Sequence, residues 1–252
     1  MLKRLYEKSR IGFALLWIGL YCVLMSAADA LSALSGVEKA VTLPVGVLLC
    51  AVLLLFLHKH GLLSSYGLCL PKVKARKMLF YIPILLMLSA NLWYGFSFNF
   101  GLLETILYIS SMFCVGFLEE AIFRGLLFEA MRKDNPRAAI IVSSVTFGIG
   151  HIINLFNGAG VALLSNLLQV VYATAAGFMF VMIYYRSGSL LVPIAAHGIF
   201  NALSAFSGKA GSEPRAEIVS ALLLTAITLS YGLYLAFTPR QAKDEERGAA
   251  MQ

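Results

Sequence analysis

The chain has 252 residues, of which 60% are hydrophobic and 13% charged, with a formal net charge of +7. Soluble domains are nearer ~45–50% apolar, so this composition, with a mean hydropathy of +0.82, excludes an ordinary soluble fold. Segments of about 20 residues leave room for roughly eight membrane-spanning helices and for no soluble appendage long enough to fold alone.

In chain order, Lys3, Arg4, Lys8 and Arg10 precede an apolar stretch from Ile11 to Leu34. Ala28-Asp29-Ala30 resembles a signal-peptide cleavage site, but many apolar segments follow and this one is long enough to span, so a retained first helix is expected. Further spans are expected near 41–57, 78–95, 103–131, 138–156, 160–185, 189–206 and 217–237. The connector His58 to Lys77, with Gly67, Pro71 and a basic cluster, reads as an interfacial loop, and His58 and His60 as solvated residues within it. The expected organisation is all-α: a polytopic helical bundle of about eight transmembrane helices, forming one membrane-embedded domain over 1–238 with a core near 103–206. Residues 239–252 read as a charged, disordered tail. The four cysteines, Cys22, Cys50, Cys69 and Cys114, form no CxxC pair and read as structural.

Charge placement orients the bundle. With the N-terminus in the cytoplasm and alternating spans, sixteen of the twenty Lys and Arg residues fall on the cytoplasmic side. These are Lys3, Arg4, Lys8, Arg10, Lys59, Lys72, Lys74, Arg76, Lys77, Arg132, Lys133, Arg137, Arg186, Arg240, Lys243 and Arg247; only Lys39, Lys209 and Arg215 fall opposite, and Arg124 is left inside the membrane. This positive-inside bias puts both termini in the cytoplasm and accounts for the basic charge without nucleic acid as a partner. The expected surroundings are a lipid bilayer, the cell membrane if the source is bacterial.

Polar residues inside the spans carry the functional signal, because each charged group costs about 2.5–3.5 kcal/mol at the centre of a membrane helix. Glu119, Glu120 and Arg124 share the fourth stretch, His151 and Asn154 end the fifth, and His197 and Asn201 lie in the seventh. Counted at ~1.5 Å per residue from Arg132, Arg137 and Arg186, Glu119, His151 and the His197/Asn201 pair lie ~16–22 Å deep, at one level. Glu120 and Arg124 are spaced for an i,i+4 ion pair, leaving Glu119 as the freer carboxylate. His197 and Asn201, also i,i+4, face one space, and Pro193 one turn earlier is expected to loosen that helix. Asp29 reads as interfacial or paired, Glu104 and Glu129 as span-end charges, and Asn166 and Gln169 as hydrogen-bonding to a neighbouring helix.

A carboxylate beside a neutral imidazole in a low-dielectric cavity can hold and deprotonate a water. A second imidazole and an amide are suitable donors to a developing oxyanion. The same set, Glu119, His151 and His197, could instead hold a divalent metal such as zinc, although there is no HExxH and no two of these histidines share a helix turn. No cofactor is certain.

Glu119-Glu120-Ala121-Ile122-Phe123-Arg124 reads EExxFR, Phe147 to His151 reads FxxxH, and His197 to Asn201 reads HxxxN. In this order on separate spans they resemble the CPBP family, the type II CAAX prenyl endopeptidases and bacteriocin-processing (Abi) proteins. The resemblance implies an all-helical membrane endopeptidase with a cavity open to the cytoplasm, described in the family both as metal-dependent and as metal-free. It implies that Glu119 activates water with His151, that His197 and Asn201 stabilise the oxyanion, and that Arg124 holds Glu120 in support. The substrate would be a CAAX-type, bacteriocin-type or other membrane-associated peptide or protein. Two other readings use the same residues: a non-catalytic immunity or scaffold protein, and an ion- or proton-coupled transporter, for which no internal repeat is found.

Overall fold

A computed structural model describes residues 2–156 and 162–238. The expected tail 239–252, with Arg240, Lys243 and Arg247, lies outside the described residues.

The chain is all-α. A short helix α1 (Leu2–Lys8) leads into α2 (Arg10–Ser35), followed by α3 (Thr42–Lys59), α4 (Ile82–Ser89), α5 (Leu102–Glu119) and α6 (Glu129–Arg132). The remaining helices are α7 (Pro136–Gly150), α8 (Leu163–Ser187), α9 (Leu191–Leu203) and α10 (Pro214–Phe237). Among the described residues the only β pairing is one isolated bridge, Phe96 to Ser207. Among the described residues seven segments are long and apolar enough to cross a membrane, and Leu191–Phe206 is a shorter apolar eighth. Each of the eight expected stretches therefore carries a helix among the described residues, one of them short.

Local chemistry sets the helix ends. The Ser9 hydroxyl accepts from Gly12 N at 3.0 Å to open α2, and the Asn135 side chain accepts from Ala138 N at 3.0 Å to open α7 ahead of Pro136. These caps satisfy N–H groups that the first turn leaves without partners. α8 stops at Gly188, whose φ of 67° is left-handed and costs glycine little.

Three local departures from the expected pattern are visible. The third stretch is not one continuous α-helix: Leu79 and Phe80 adopt left-handed conformations, and α4 begins only at Ile82. Pro83 explains the break, because within a continuing helix its ring would clash with the carbonyl four residues back, at Leu79. Pro193, by contrast, does not loosen α9. It sits in that helix's first turn, where its missing N–H has no partner to lose, and α9 runs regularly past His197. The irregularity lies instead in the fourth stretch. After Glu119 the chain winds as a π-helix over Glu120–Phe128, with all nine residues buried.

α8 packs along α7 and α10, and α5 packs along α9. An added Cβ at Gly116 would lie 2.7 Å from the backbone nitrogen of Gly198, so α5 and α9 approach almost backbone to backbone. One apolar cluster (Phe13, Trp17, Leu53, Phe56, Leu118, Ile122, Leu126) packs the π-helix against α2 and α3. Another (Ile84, Met87, Met179, Ile183, Leu224, Leu235) joins α4, α8 and α10. Leu15, Val23, Leu55, Leu85, Ile141 and Leu222 face outward, as a lipid-facing surface requires.

Candidate active site

α5 and the π-helix deliver the two glutamates to different surroundings. Glu119 is the last residue of α5, and its Oε1 accepts from the Tyr21 hydroxyl of α2 at 2.6 Å. Its Oε2 lies 3.4 Å from His197 Nε2. Glu120 is wholly buried; its Oε1 lies 2.9 Å from His197 Nδ1 and 3.1 Å from Arg124 Nη1. A carboxylate can only accept, so His197 carries a proton on Nδ1, and the ring bridges both glutamates.

Arg124 is also wholly buried. Its 3.1 Å separation from Glu120 is that of an ion pair, yet none of its guanidinium N–H groups is aligned for a hydrogen bond. Charge and ring contact hold it instead: the guanidinium carbon sits 4.0 Å from the centre of the Phe147 ring. The i,i+4 pairing expected from the sequence is present, in π rather than α geometry.

His151 ends α7. Its Nδ1 lies 3.0 Å from the Phe147 carbonyl, which can only accept, so the Nε2 lone pair is left for other partners. Phe147 also organises the rings, edge-on to His151 at 5.0 Å and to His197 at 5.7 Å between centroids. Phe180 of α8 stacks on His197 from another side. Asn166 donates to the His151 carbonyl at 2.8 Å, and Asn154 donates to Gln169 at 3.1 Å. The helix-to-helix role expected of Asn166 and Gln169 is therefore what they perform, at the base of the histidine.

These side chains enclose a cavity of about 520 Å³ whose walls include Tyr21, Glu119, Phe147, His151, Asn154 and Asn201. A narrow extension of about 50 Å³ reaches His197 between Phe147 and Phe180, with Asn201 at its wall. All seven residues singled out from sequence thus lie in or directly beside one site: Glu119, His151, Asn154 and Asn201 on the cavity, His197 on its extension, Glu120 and Arg124 behind. Glu119 is less free than expected, held by Tyr21 and close to His197. Tyr21 escaped the sequence reading, because a tyrosine in an apolar helix carries no signal of a partner 98 positions away.

The zinc set does not fit this arrangement. Both nitrogens of His197 face carboxylates, and among the described residues no three His, Cys, Asp or Glu side chains converge in a way that could hold a metal ion.

Residues 99–203, which contain all three motifs, match the family described as type II CAAX prenyl endopeptidase, Rce1-like. The matched segment is similar to the CPBP family over less than half of the chain. A curated relative, "Putative membrane peptidase YdiL" of Bacillus subtilis (strain 168), is 38% identical over 85 residues, covering 33% of this chain. The match spans only 30% of that relative's length. No solved structure matches the chain. The first three apolar stretches lie outside the matched segment, yet they supply Tyr21 and part of the cavity wall.

Proposed function

We propose that this protein is a membrane-embedded endopeptidase that hydrolyses a peptide bond of a membrane-associated substrate. Glu119 takes a proton from a water held with the His151 imidazole. The hydroxide adds to the carbonyl carbon and Asn201 donates to the oxygen as it becomes an oxyanion; a doubly protonated His197 adds its Nε2–H once Glu119 has taken the proton and no longer holds that N–H. Collapse of the tetrahedral intermediate expels the amine, which receives the proton Glu119 took. Glu120 and Arg124 orient His197 from behind. The carrying observation is that Glu119, His151 and Asn201, from three separate helices, share the wall of one cavity. Its volume of about 520 Å³ falls within the ~300–1,000 Å³ typical of ligand sites. CAAX-type and bacteriocin-type peptides are the candidate substrates that the family resemblance implies.

The test compares peptide ends in membranes of cells carrying the native chain, Glu119→Gln or His151→Ala, at equal levels of inserted protein. Loss of a positioned general base costs roughly 10²–10⁴ in rate, so both variants should lose the ends that the native chain generates. Ends that persist at native levels in either variant overturn the mechanism. A scaffold would tolerate Glu119→Gln, and a transporter would show substrate-driven flux in liposomes.

A further inference from the structure

The helix ends that line the cavity place its mouth. Besides the site residues, its wall holds Asp29 near the end of α2, Asn91 and Tyr94 beyond α4, and Tyr108 near the start of α5. Asn154 after α7, Ser165 at the start of α8, Ser207 and Gly211 after α9, and Glu217 at the start of α10 complete it. In an alternating bundle every one of these belongs to the same end. Contacts between them agree: Ser165 donates to Glu217 at 2.7 Å, Tyr108 and Ser204 hydroxyls lie 2.8 Å apart, and Asn99 donates to the Ser207 carbonyl at 3.0 Å.

The other end is packed shut. The π-helix is buried throughout, and its last residue, Phe128, forms an apolar layer with Tyr184 and Leu190. Past that layer the connector is stitched down: Lys72 N donates to the Ser187 carbonyl at 2.9 Å and Leu190 N to the Gly67 carbonyl at 2.7 Å. The Tyr184 hydroxyl donates to Glu129 at 2.7 Å.

Charge marks the closed end. Lys3, Arg4, Lys8, Arg10, Lys59, Lys72, Lys74, Arg76, Lys77, Arg132, Lys133, Arg137 and Arg186 all lie there, whereas the mouth end has Lys39, Lys209 and Arg215. Among the described residues that is thirteen against three, and Lys39 is bound to Asp29 at 2.8 Å. Basic loops stay in the cytoplasm.

We infer that the cavity opens to the non-cytoplasmic face, so the substrate is a peptide segment presented from outside the cytoplasm. This reverses the cytoplasmic opening implied by the family resemblance. A lipidated tail held at the cytoplasmic face would meet the packed end and not the mouth. The substrate half rests on the peptidase reading; the sidedness does not.

Single cysteines test the sidedness in a background carrying Cys22→Ala, Cys50→Ala, Cys69→Ala and Cys114→Ala. Lys209→Cys and Ser207→Cys report the mouth, and Lys74→Cys reports the basic end; Lys209 and Lys74 are both exposed. A membrane-impermeant maleimide applied to intact cells should label the first two, and Lys74→Cys only after permeabilisation. The reverse pattern overturns the inference, as does labelling of Lys209→Cys with Ser207→Cys unreactive in both conditions. Mapping the Glu119-dependent peptide ends onto their source proteins tests the substrate half. Ends on non-cytoplasmic segments support it, and ends on cytoplasmic segments overturn it while leaving proteolysis intact. Absence of any Glu119-dependent end sinks the peptidase reading, and the labelling still decides the sidedness.

Discussion

Tyr21 holds the catalytic candidate Glu119 by a single 2.6 Å hydrogen bond, and it comes from a helix outside the matched segment 99–203. Removing one such bond to a charged group costs about 1.5–3 kcal/mol, so Tyr21→Phe should reduce kcat by roughly 10- to 100-fold. Because the ring and its packing are retained, KM should change little, while the lost bond lowers thermal stability modestly. A loss confined to KM would show that Tyr21 meets the substrate rather than the carboxylate. Arg124 makes the opposite case, since it lines no part of the cavity itself and sits behind the Phe147 ring. Arg124→Leu leaves the buried Glu120 without its cation, and breaking such a pair costs about 3–5 kcal/mol. The expected result is a chain that inserts but melts well below the native protein in detergent. Arg124→Lys should restore only part of that stability, because a compact ammonium cannot reproduce the planar stacking on Phe147. Full recovery with lysine would mean that the ring contact contributes nothing.

The α5–α9 pair sets how closely Glu119 and His197 approach. Gly116→Ala would place a methyl 2.7 Å from the Gly198 nitrogen, and backbone on both sides leaves no side chain to give way. Overpacking of this kind costs typically ~1–3 kcal/mol. Widening the gap also separates His197 from the carboxylates, so activity should fall more steeply than stability. Gly19→Ala, whose new methyl meets nothing within 4 Å, is the matched control and should behave as native. Equal behaviour of the two variants in melting and turnover would refute the argument. The apolar stretches and the glutamate, histidine and asparagine set were legible because a charge inside a hydrophobic run is expensive and therefore conspicuous. The π-helix was not, because Glu120–Phe128 is buried on every side and offers no polar stripe from which its period could be read. Pro193 misled for a related reason: proline marks a break only when it falls beyond a helix's first turn, and α9 starts just before it. The Tyr21 contact depends on how α2 docks, which no local pattern encodes.

The family match spans 99–203, but the cavity is not a property of that segment alone. Tyr21, Met25 and Asp29 from α2 form one wall, and Glu217, Ala221 and Leu224 from α10 form another. The Phe13, Trp17, Leu53 and Phe56 cluster of α2 and α3 also covers the π-helix that carries Glu120 and Arg124. A chain reduced to 99–203 would leave that apolar face and the cavity side of Glu119 open to lipid, where an ionised carboxylate is costly. It should therefore yield no Glu119-dependent peptide ends even when it inserts. The connection before α5 crosses the mouth end, with Phe96 and Phe98 exposed, so the chain can be divided there. Residues 1–98 and 99–252 expressed together as separate polypeptides should reassemble through α2, α3 and α4 packing and recover cleavage, whereas 99–252 alone should not. The same pair with Tyr21→Phe in the first piece should recover insertion and association, measured by co-purification, but only the reduced turnover of the full-length Tyr21→Phe chain. Cleavage by 99–252 alone at the native rate would mean that the leading helices are dispensable and that Tyr21 does not set the position of Glu119.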